Sequence, residues 1–243
     1  MLISSKQSGF LEGRKITDGI ILTHEIIHSL KHLKKIDMLV KIDLSKEFDK
    51  LSWTFIQKML THFSFSPPWV RWVMSLISST LFSILVNGIL SYPFHPSRGI
   101  CQGDPLSPFL FVLMVEGLGR IIKHALQTQK PRGISFPNTP AFTHQQFLDD
   151  NMMFCHPSVQ EALKLKSLLN EFSEASGADI NNVKSQIFFF HTPTSTQSST
   201  ACILGFSITS LPYKYLGAPI TDSALKHSSW HVLLEKFETR LSS

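Results

Sequence analysis

The stretch "QQFLDDNMMF", residues 145–154, sets two aspartates and an asparagine between two short apolar runs. Two readings account for it. In the first, Phe147-Leu148 and Met152-Met153-Phe154 are the arms of a hairpin, with Asp149, Asp150 and Asn151 as its polar turn. In the second, the carboxylates hold a divalent cation, which removes the repulsion between neighbouring like charges. The second reading needs a partner carboxylate elsewhere in the chain. Asp43 is the candidate, because it ends the β-rich run "DMLVKID", residues 37–43. If the two runs are adjacent strands, their carboxylates meet at one edge of a sheet. Two divalent ions about 3.5–4 Å apart would then neutralise them, activate a hydroxyl and stabilise a leaving phosphate. Oxygen donors with no His-Cys cluster nearby favour Mg2+ or Mn2+.

The 243 residues suffice for one large or two small domains, and 43% of them are hydrophobic, enough to bury a core. A net charge of +5 suits a polyanionic partner without requiring one. Cys101, Cys155 and Cys202 show no paired spacing, which fits a reducing compartment. The apolar run from Phe109 to Ile122 is too short to span a bilayer and carries Glu116 and Arg120. No signal peptide is visible at the N-terminus. The expectation is an intracellular protein, nuclear or cytoplasmic, neither secreted nor bound to a membrane; its oligomeric state is not legible.

Helical spacing runs through "TDGIILTHEIIHSLKHL", with Ile20, Ile21, Ile27, Leu30 and Leu33 on one expected face. "SWTFIQKMLTHF" predicts a helix capped by Ser52, and another follows Pro67-Pro68. In "LFSILVNGILSYPF" the Asn87-Gly88 pair signals a type I′ hairpin. A Gly/Pro-punctuated loop, "PSRGICQGDPLSP", leads into the helix "FLFVLMVEGLGRIIKHAL". A helix over 158–175 and the strand "SQIFFF" follow. The Ser/Thr-rich patch "HTPTSTQSSTA", residues 191–201, reads as an exposed loop. "YKYLGAPI" predicts strand and turn, and 226–241 a last helix. This irregular alternation predicts an α+β fold, with helices on one face of a mainly antiparallel sheet.

The blocks "KIDLSKEFDKLSWTFI", "PSRGICQGDPLSPFLFVLMVEGLGRII", "FLDDNMMF", "SGADINNVKSQIFF" and "YLGAPI" stand in an order that resembles non-LTR (LINE-type) retrotransposon reverse transcriptases of plants. The resemblance favours the metal reading of the opening stretch. It implies an antiparallel polymerase palm backed by helices, with partial fingers, over residues 1–220, and the start of a thumb or connection helix over 221–243. It further implies an RNA-directed DNA polymerase that adds dNTPs to a DNA primer 3′-hydroxyl on an RNA template by two-metal transfer. Asp43, Asp149 and Asp150 would be the metal-binding aspartates, and the Leu44 carbonyl would help to hold the triphosphate-bound ion. Phe48 would wall off the sugar 2′ position. Gln102 and Gly103 would line the nucleotide pocket, glycine permitting close approach. Arg98 would stand in for a basic residue that the family often has where Cys101 lies. Ser107 and Pro108 would open a helix near the template. Lys184 would protonate pyrophosphate; Tyr215, Leu216 and Gly217 would steady the primer end. Arg14 would reach template or triphosphate. Leu148 replaces the family's common alanine.

Two rival readings stand beside this one. "HEIIH", residues 24–28, matches the H-E-x-x-H pattern of zinc hydrolases, with His24 and His28 one helical turn apart and His32 continuing the face. The polymerase reading is that of a truncated retrotransposon copy, and its other rival is a catalytically inactive remnant that only binds nucleic acid.

Overall fold

In the computed structural model, which describes residues 2–127, 133–135, 142–223 and 231–241, the run ending at Asp43 forms strand β1 (Asp37–Ile42). It is buried at every position, and such a strand needs cover on both faces. Helix α1 (Ile16–His32) precedes it. After it come β2 (Leu44–Ser45), α2 (Glu47–Lys50), α3 (Trp53–His62) and α4 (Pro67–Ser78). The hairpin β3 (Leu85–Val86) and β4 (Ile89–Leu90) leads to α5 (Ser107–Gln127), β5 (His144–Phe147) and β6 (Asp150–Cys155). The remainder is α6 (Val159–Ser176), β7 (Asp179–Ile180), β8 (Gln186–Phe190), α7 (Thr194–Leu204), β9 (Ser207–Thr209), β10 (Tyr213–Tyr215), β11 (Ala218–Ile220) and α8 (His231–Leu241). The central sheet has the order β5-β6-β1-β8-β9. All its pairs are antiparallel except β8 with β9.

Alternation along β1 divides the core in two. Met38, Val40 and Ile42 join Ile56 and Leu60 of α3, Phe111 and Val115 of α5, and Leu165 and Phe172 of α6. Leu39 faces the other way and meets Ile27 and Leu30 of α1 together with Met152, Phe154 and Phe188. The helices α3, α5 and α6 lie on one face of the sheet as expected, and α1 with the β10–β11 hairpin covers the other, so β1 is buried on both sides. The α1 stripe also differs from the sequence reading. Ile21 and Leu33 are exposed, and the buried positions are Gly19, Thr23, Ile26, Ile27 and Leu30. Small residues face the sheet because Gln145 lies there: a Cβ on Gly19 would come within 2.3 Å of its Nε2.

The Ser/Thr-rich patch is a second correction, since residues 194–204 are helix α7 rather than loop. Tertiary burial of Thr200 and Leu204 overrides the weak helix preference. Gly205 ends the helix in the left-handed conformation at φ 77°. The predicted helices at 53–62 and 67–78, the strand at 186–190 and the Asn87-Gly88 turn (φ 49° and 82°) form where expected. The predicted last helix is α8, although residues 224–230 lie outside the described ones. The β3–β4 hairpin is exposed on both sides, with Ile89 at 75% and Tyr92 at 95%.

The N-terminal segment closes the free edge of β5. Gln7 bridges Gln146 in parallel. The Ser8 amide donates to the Gln146 carbonyl at 3.0 Å, and the Gln146 amide to the Lys6 carbonyl at 2.9 Å. A row of open donors and acceptors is thereby satisfied. His144, on this edge strand, is buried, and its Nδ1 lies 3.0 Å from the Thr143 hydroxyl. Burial, with help from the charge of Lys6, lowers its pKa to about 4. Between about pH 6.5 and 4 the unfolded chain therefore takes up a proton that the folded chain refuses, and stability falls as pH falls. Asp37 works in the opposite sense: burial, partly offset by His156 and Lys35, raises its pKa to about 6. The measurement is accordingly a difference. In urea unfolding, His144→Gln is expected to remove an acid-side loss of up to about 3 kcal/mol relative to wild type at pH 4, with no comparable change at pH 8.

Candidate active site

The β1–β6 register pairs Ile42 with Asn151. One further step along the same antiparallel ladder sets Asp43 across from Asp150, beside the turn that carries Asp149. Asp43 sits where its strand changes partners. Up to Ile42 the chain pairs with β6 and β8, and from Leu44 it pairs with β7 through Leu44 and Ile180. The backbone of Asp43 is held on both sides by the turn that follows β7. Its amide donates to Ser185 Oγ at 3.1 Å, and its carbonyl accepts from the Asn181 amide at 2.9 Å. Lys184 belongs to this turn; its amide donates to Asn181 Oδ1 at 3.2 Å, and its side chain is exposed.

The hairpin that the opening stretch suggested is present with a different turn. Phe147 pairs with Asp150, so Leu148 and Asp149 are the two linking residues, and Asp150 and Asn151 already belong to β6. Leu148 adopts the left-handed conformation at φ 53°. Its amide donates to Gln7 Oε1 at 3.3 Å, and Gly9 packs so closely that a Cβ there would lie 2.7 Å from Leu148 Cγ. Asn151, 1% exposed, closes the turn from inside through Nδ2 to the Asp149 carbonyl at 3.0 Å.

A lysine stands between the carboxylates. Lys41 Nζ lies 2.6 Å from Asp150 Oδ1 and 3.9 Å from Asp43 Oδ1. Its side chain is 10% exposed, against 16% for Asp43 and 26% for Asp150. Burial pulls the Lys41 pKa down, but the hydrogen bond and charge of Asp150, with smaller help from Tyr213 and Asp43, more than reverse it. The ammonium is held charged. As they stand, no three His, Cys, Asp or Glu among the described residues form a metal-holding group. The chemistry of the donors suits a hard cation, since carboxylate oxygens are its usual ligands, and two of them, from Asp43 and Asp150, already approach one cationic group. The zinc reading gains no such support. His24 Nε2 is engaged with the Pro219 carbonyl at 3.0 Å, and His28 stacks on His32.

The other expected site residues lie on several elements. Leu44 is buried in the core. Phe48, in α2, is half-buried and stacks on Phe111 with centroids 5.0 Å apart; its carbonyl accepts from the Ile100 amide at 2.8 Å. Gln102 and Gly103 (φ 86°) occupy the exposed loop before α5. That helix opens at Ser107, whose amide and hydroxyl both donate to Asp104 Oδ2, with Pro108 next. Arg98 is exposed on the same loop and lines a small cavity with Asp49 and Cys101. Leu216 (φ 48°) and Gly217 (φ 88°) form the tight β10–β11 turn. Tyr215 is fully buried beneath it, and no hydrogen-bond partner among the described residues meets its hydroxyl. Arg14, expected to reach template or triphosphate, turns onto its own segment: its guanidinium donates to the carbonyls of Ser4, Gln7 and Ile3. Lys41, Gln7 and Asn151 were missed in the sequence. A lysine inside the apolar run "DMLVKID" was the available signal for the first.

Comparisons with known proteins show the family. The family model "Reverse transcriptase (RNA-dependent DNA polymerase)" matches residues 1–220, and the chain belongs to that family. It is 29% identical over 177 residues to the Pol polyprotein of the type-2 retrotransposable element R2DM of Drosophila melanogaster, a match covering 72% of this chain and 16% of that protein. It is 33% identical over 100 residues to the Pol polyprotein of the R2 element of Popillia japonica, covering 41% and 16%. The chain thus spans about a sixth of these relatives' lengths. In fold it is similar to telomerase from Candida albicans, solved with a fragment of telomeric RNA, with a TM-score of 0.59 at 13% identity, over 96% of this chain and 39% of that one. Members of the family generally use divalent metal ions. No helix among the described residues is long and apolar enough to cross a membrane.

Two glycines test the frame around Phe48. Gly99 and Gly103 both have φ near 86°, but a Cβ on Gly99 would lie 2.6 Å from the Asp49 carbonyl oxygen, whereas one on Gly103 meets nothing. Gly103→Ala is expected to cost only the left-handed penalty of about 1–2 kcal/mol. Gly99→Ala adds a backbone clash and should cost clearly more, read as the difference in urea unfolding free energy between the two variants.

Proposed function

We propose that this chain is the catalytic palm of an RNA-directed DNA polymerase, extending a DNA primer with dNTPs along an RNA template. The observation that carries the reading is the β1–β6 register, which brings Asp43 to the Asp149–Asp150 turn. Asp43, Asp149 and Asp150 would hold two Mg2+ ions, with Mn2+ an acceptable substitute. When bound, the ions lower the pKa of the primer 3′-hydroxyl and neutralise charge on the leaving pyrophosphate.

The chain's own residues do the remaining work by position and charge. The ladders on either side of Asp43 fix its carboxylate relative to the turn. Phe48, backed by Phe111 and tied through its carbonyl to Ile100, would exclude a ribonucleotide 2′-hydroxyl by bulk. Gln102 and Gly103 would meet base and sugar, with Arg98 available to phosphate. Lys184, its main chain stitched to that of Asp43, would donate a proton to pyrophosphate. Ser107 and Pro108 would lie along the template, and the Leu216–Gly217 turn above Tyr215 would meet the primer. Residues 221–243 would begin a thumb. The net positive charge would draw in the polyanionic duplex, so binding should weaken steeply with salt.

Primer extension on an RNA template with Mg2+ or Mn2+ tests this. Wild-type chain is expected to add dNTPs, and Asp43→Ala or Asp149→Ala to lower the rate by at least about a thousandfold without weakening duplex binding. Phe48→Ala should retain dNTP addition while admitting ribonucleotides. Duplex binding with no extension by wild type would mark the chain as a nucleic-acid binder only; extension that survives Asp149→Ala would refute the assignment of the aspartates.

A further inference from the structure

A buried lysine in the middle of a strand is costly unless something holds its charge. Lys41 points to the same side of β1 as Leu39, away from the helical core that takes Val40 and Ile42. Its Nζ reaches Asp150 Oδ1 at 2.6 Å and Asp43 Oδ1 at 3.9 Å. These are the oxygens that the proposed function gives to metal ions. Two carboxylates brought together by a strand register repel each other, and in this structure an ammonium from the same strand answers that repulsion.

We infer that Lys41 is a built-in counter-ion of the carboxylate site, bridging Asp150 and Asp43 and competing with divalent cations for Asp150. The inference rests on the metal reading of these aspartates. Three consequences follow from electrostatics alone. The metal-free fold does not suffer the full carboxylate repulsion. A divalent ion must draw Asp150 away from the ammonium or share it, which weakens binding of the ion by itself. Asp150 becomes the exchanging ligand, and Asp43 and Asp149 the permanent ones. Lys41 is thus a positioning residue, acting on the ions through the carboxylates it holds.

The experiment measures Mn2+ binding to the full chain without nucleic acid, by the loss of the free-ion paramagnetic resonance signal. Wild type, Lys41→Met, Lys41→Arg, Asp150→Asn and Asp149→Ala are compared. Lys41→Met is expected to bind Mn2+ at least about fivefold more tightly than wild type, because a positive charge about 4 Å from the ion has been removed. Its melting temperature in chelator should fall and recover on adding Mn2+, while Lys41→Arg stays close to wild type. Equal or weaker Mn2+ binding by folded Lys41→Met would overturn the inference. Should Lys41→Met fail to fold, wild type supplies a second readout: Mg2+ should raise the rate of reductive methylation at Lys41 but not at exposed Lys58, and an unchanged Lys41 rate would equally overturn it. Wild type that binds no Mn2+, or binds it independently of Asp149, would remove the metal reading itself and this inference with it. Asp149-dependent binding that ignores Lys41→Met removes only the inference.

Discussion

Everything at the candidate site depends on the hydrogen-bonded pairing of β1 with β6. Because side chains alternate along a strand, a slip of one residue would send Lys41 into the apolar helical core and lift Ile42 out of it. The burial of β1 on both faces forbids that slip. Met38, Val40 and Ile42 are matched to α3, α5 and α6, and Leu39 to α1. The core therefore sets the register, and the register sets which carboxylates face each other. Apolar packing far from the strand ends does the positioning, and the acidic residues accept where it leaves them.

The charges so positioned are balanced locally. Lys41 answers Asp150 and Asp43, and the turn from Asn181 to Ser185 fixes the main chain of Asp43 by two hydrogen bonds. In the buried interior this matters more than any single contact on the surface. An unpaired charge there costs several kcal/mol, whereas an exposed ion pair such as Lys31 with Asp222 contributes about 1 kcal/mol or less. Carboxylate oxygens and the Lys41 ammonium are drawn together at the end of a strand that is buried on both faces.

Much of this was legible in the residues. The alternating and unbroken apolar runs announced the strands, Asn87-Gly88 announced its turn, and the double aspartate between apolar arms announced both a hairpin and an acidic site. What failed, failed for physical reasons. The patch at 191–201 has loop composition, yet two buried positions, Thr200 and Leu204, suffice to hold it as helix. Of the α1 stripe, Ile27 and Leu30 are buried as expected, but Ile21 and Leu33 are exposed and the sheet beneath takes Gly19 and Thr23 instead, which make room for Gln145. Lys41 was passed over because a single lysine in an apolar run looks like an edge; only the pairing of the strands shows what it meets. In each case the missing information was a tertiary neighbour that local pattern does not contain.

The left-handed Leu148 has a consequence for how easily this corner of the sheet opens. A leucine at φ 53° gives up about 1–2 kcal/mol relative to the right-handed region, and the Asp149 linker is steadied by Gln7 and Gly9, which arrive from the far end of the sequence. The sheet's own pairings close loops just as long, since Lys41 pairs with Gln186, so what sets this corner apart is the left-handed Leu148 in its linker. The acidic corner is thus expected to open before β1 does. In native-state hydrogen exchange its amides would report local opening well below the free energy that protects β1.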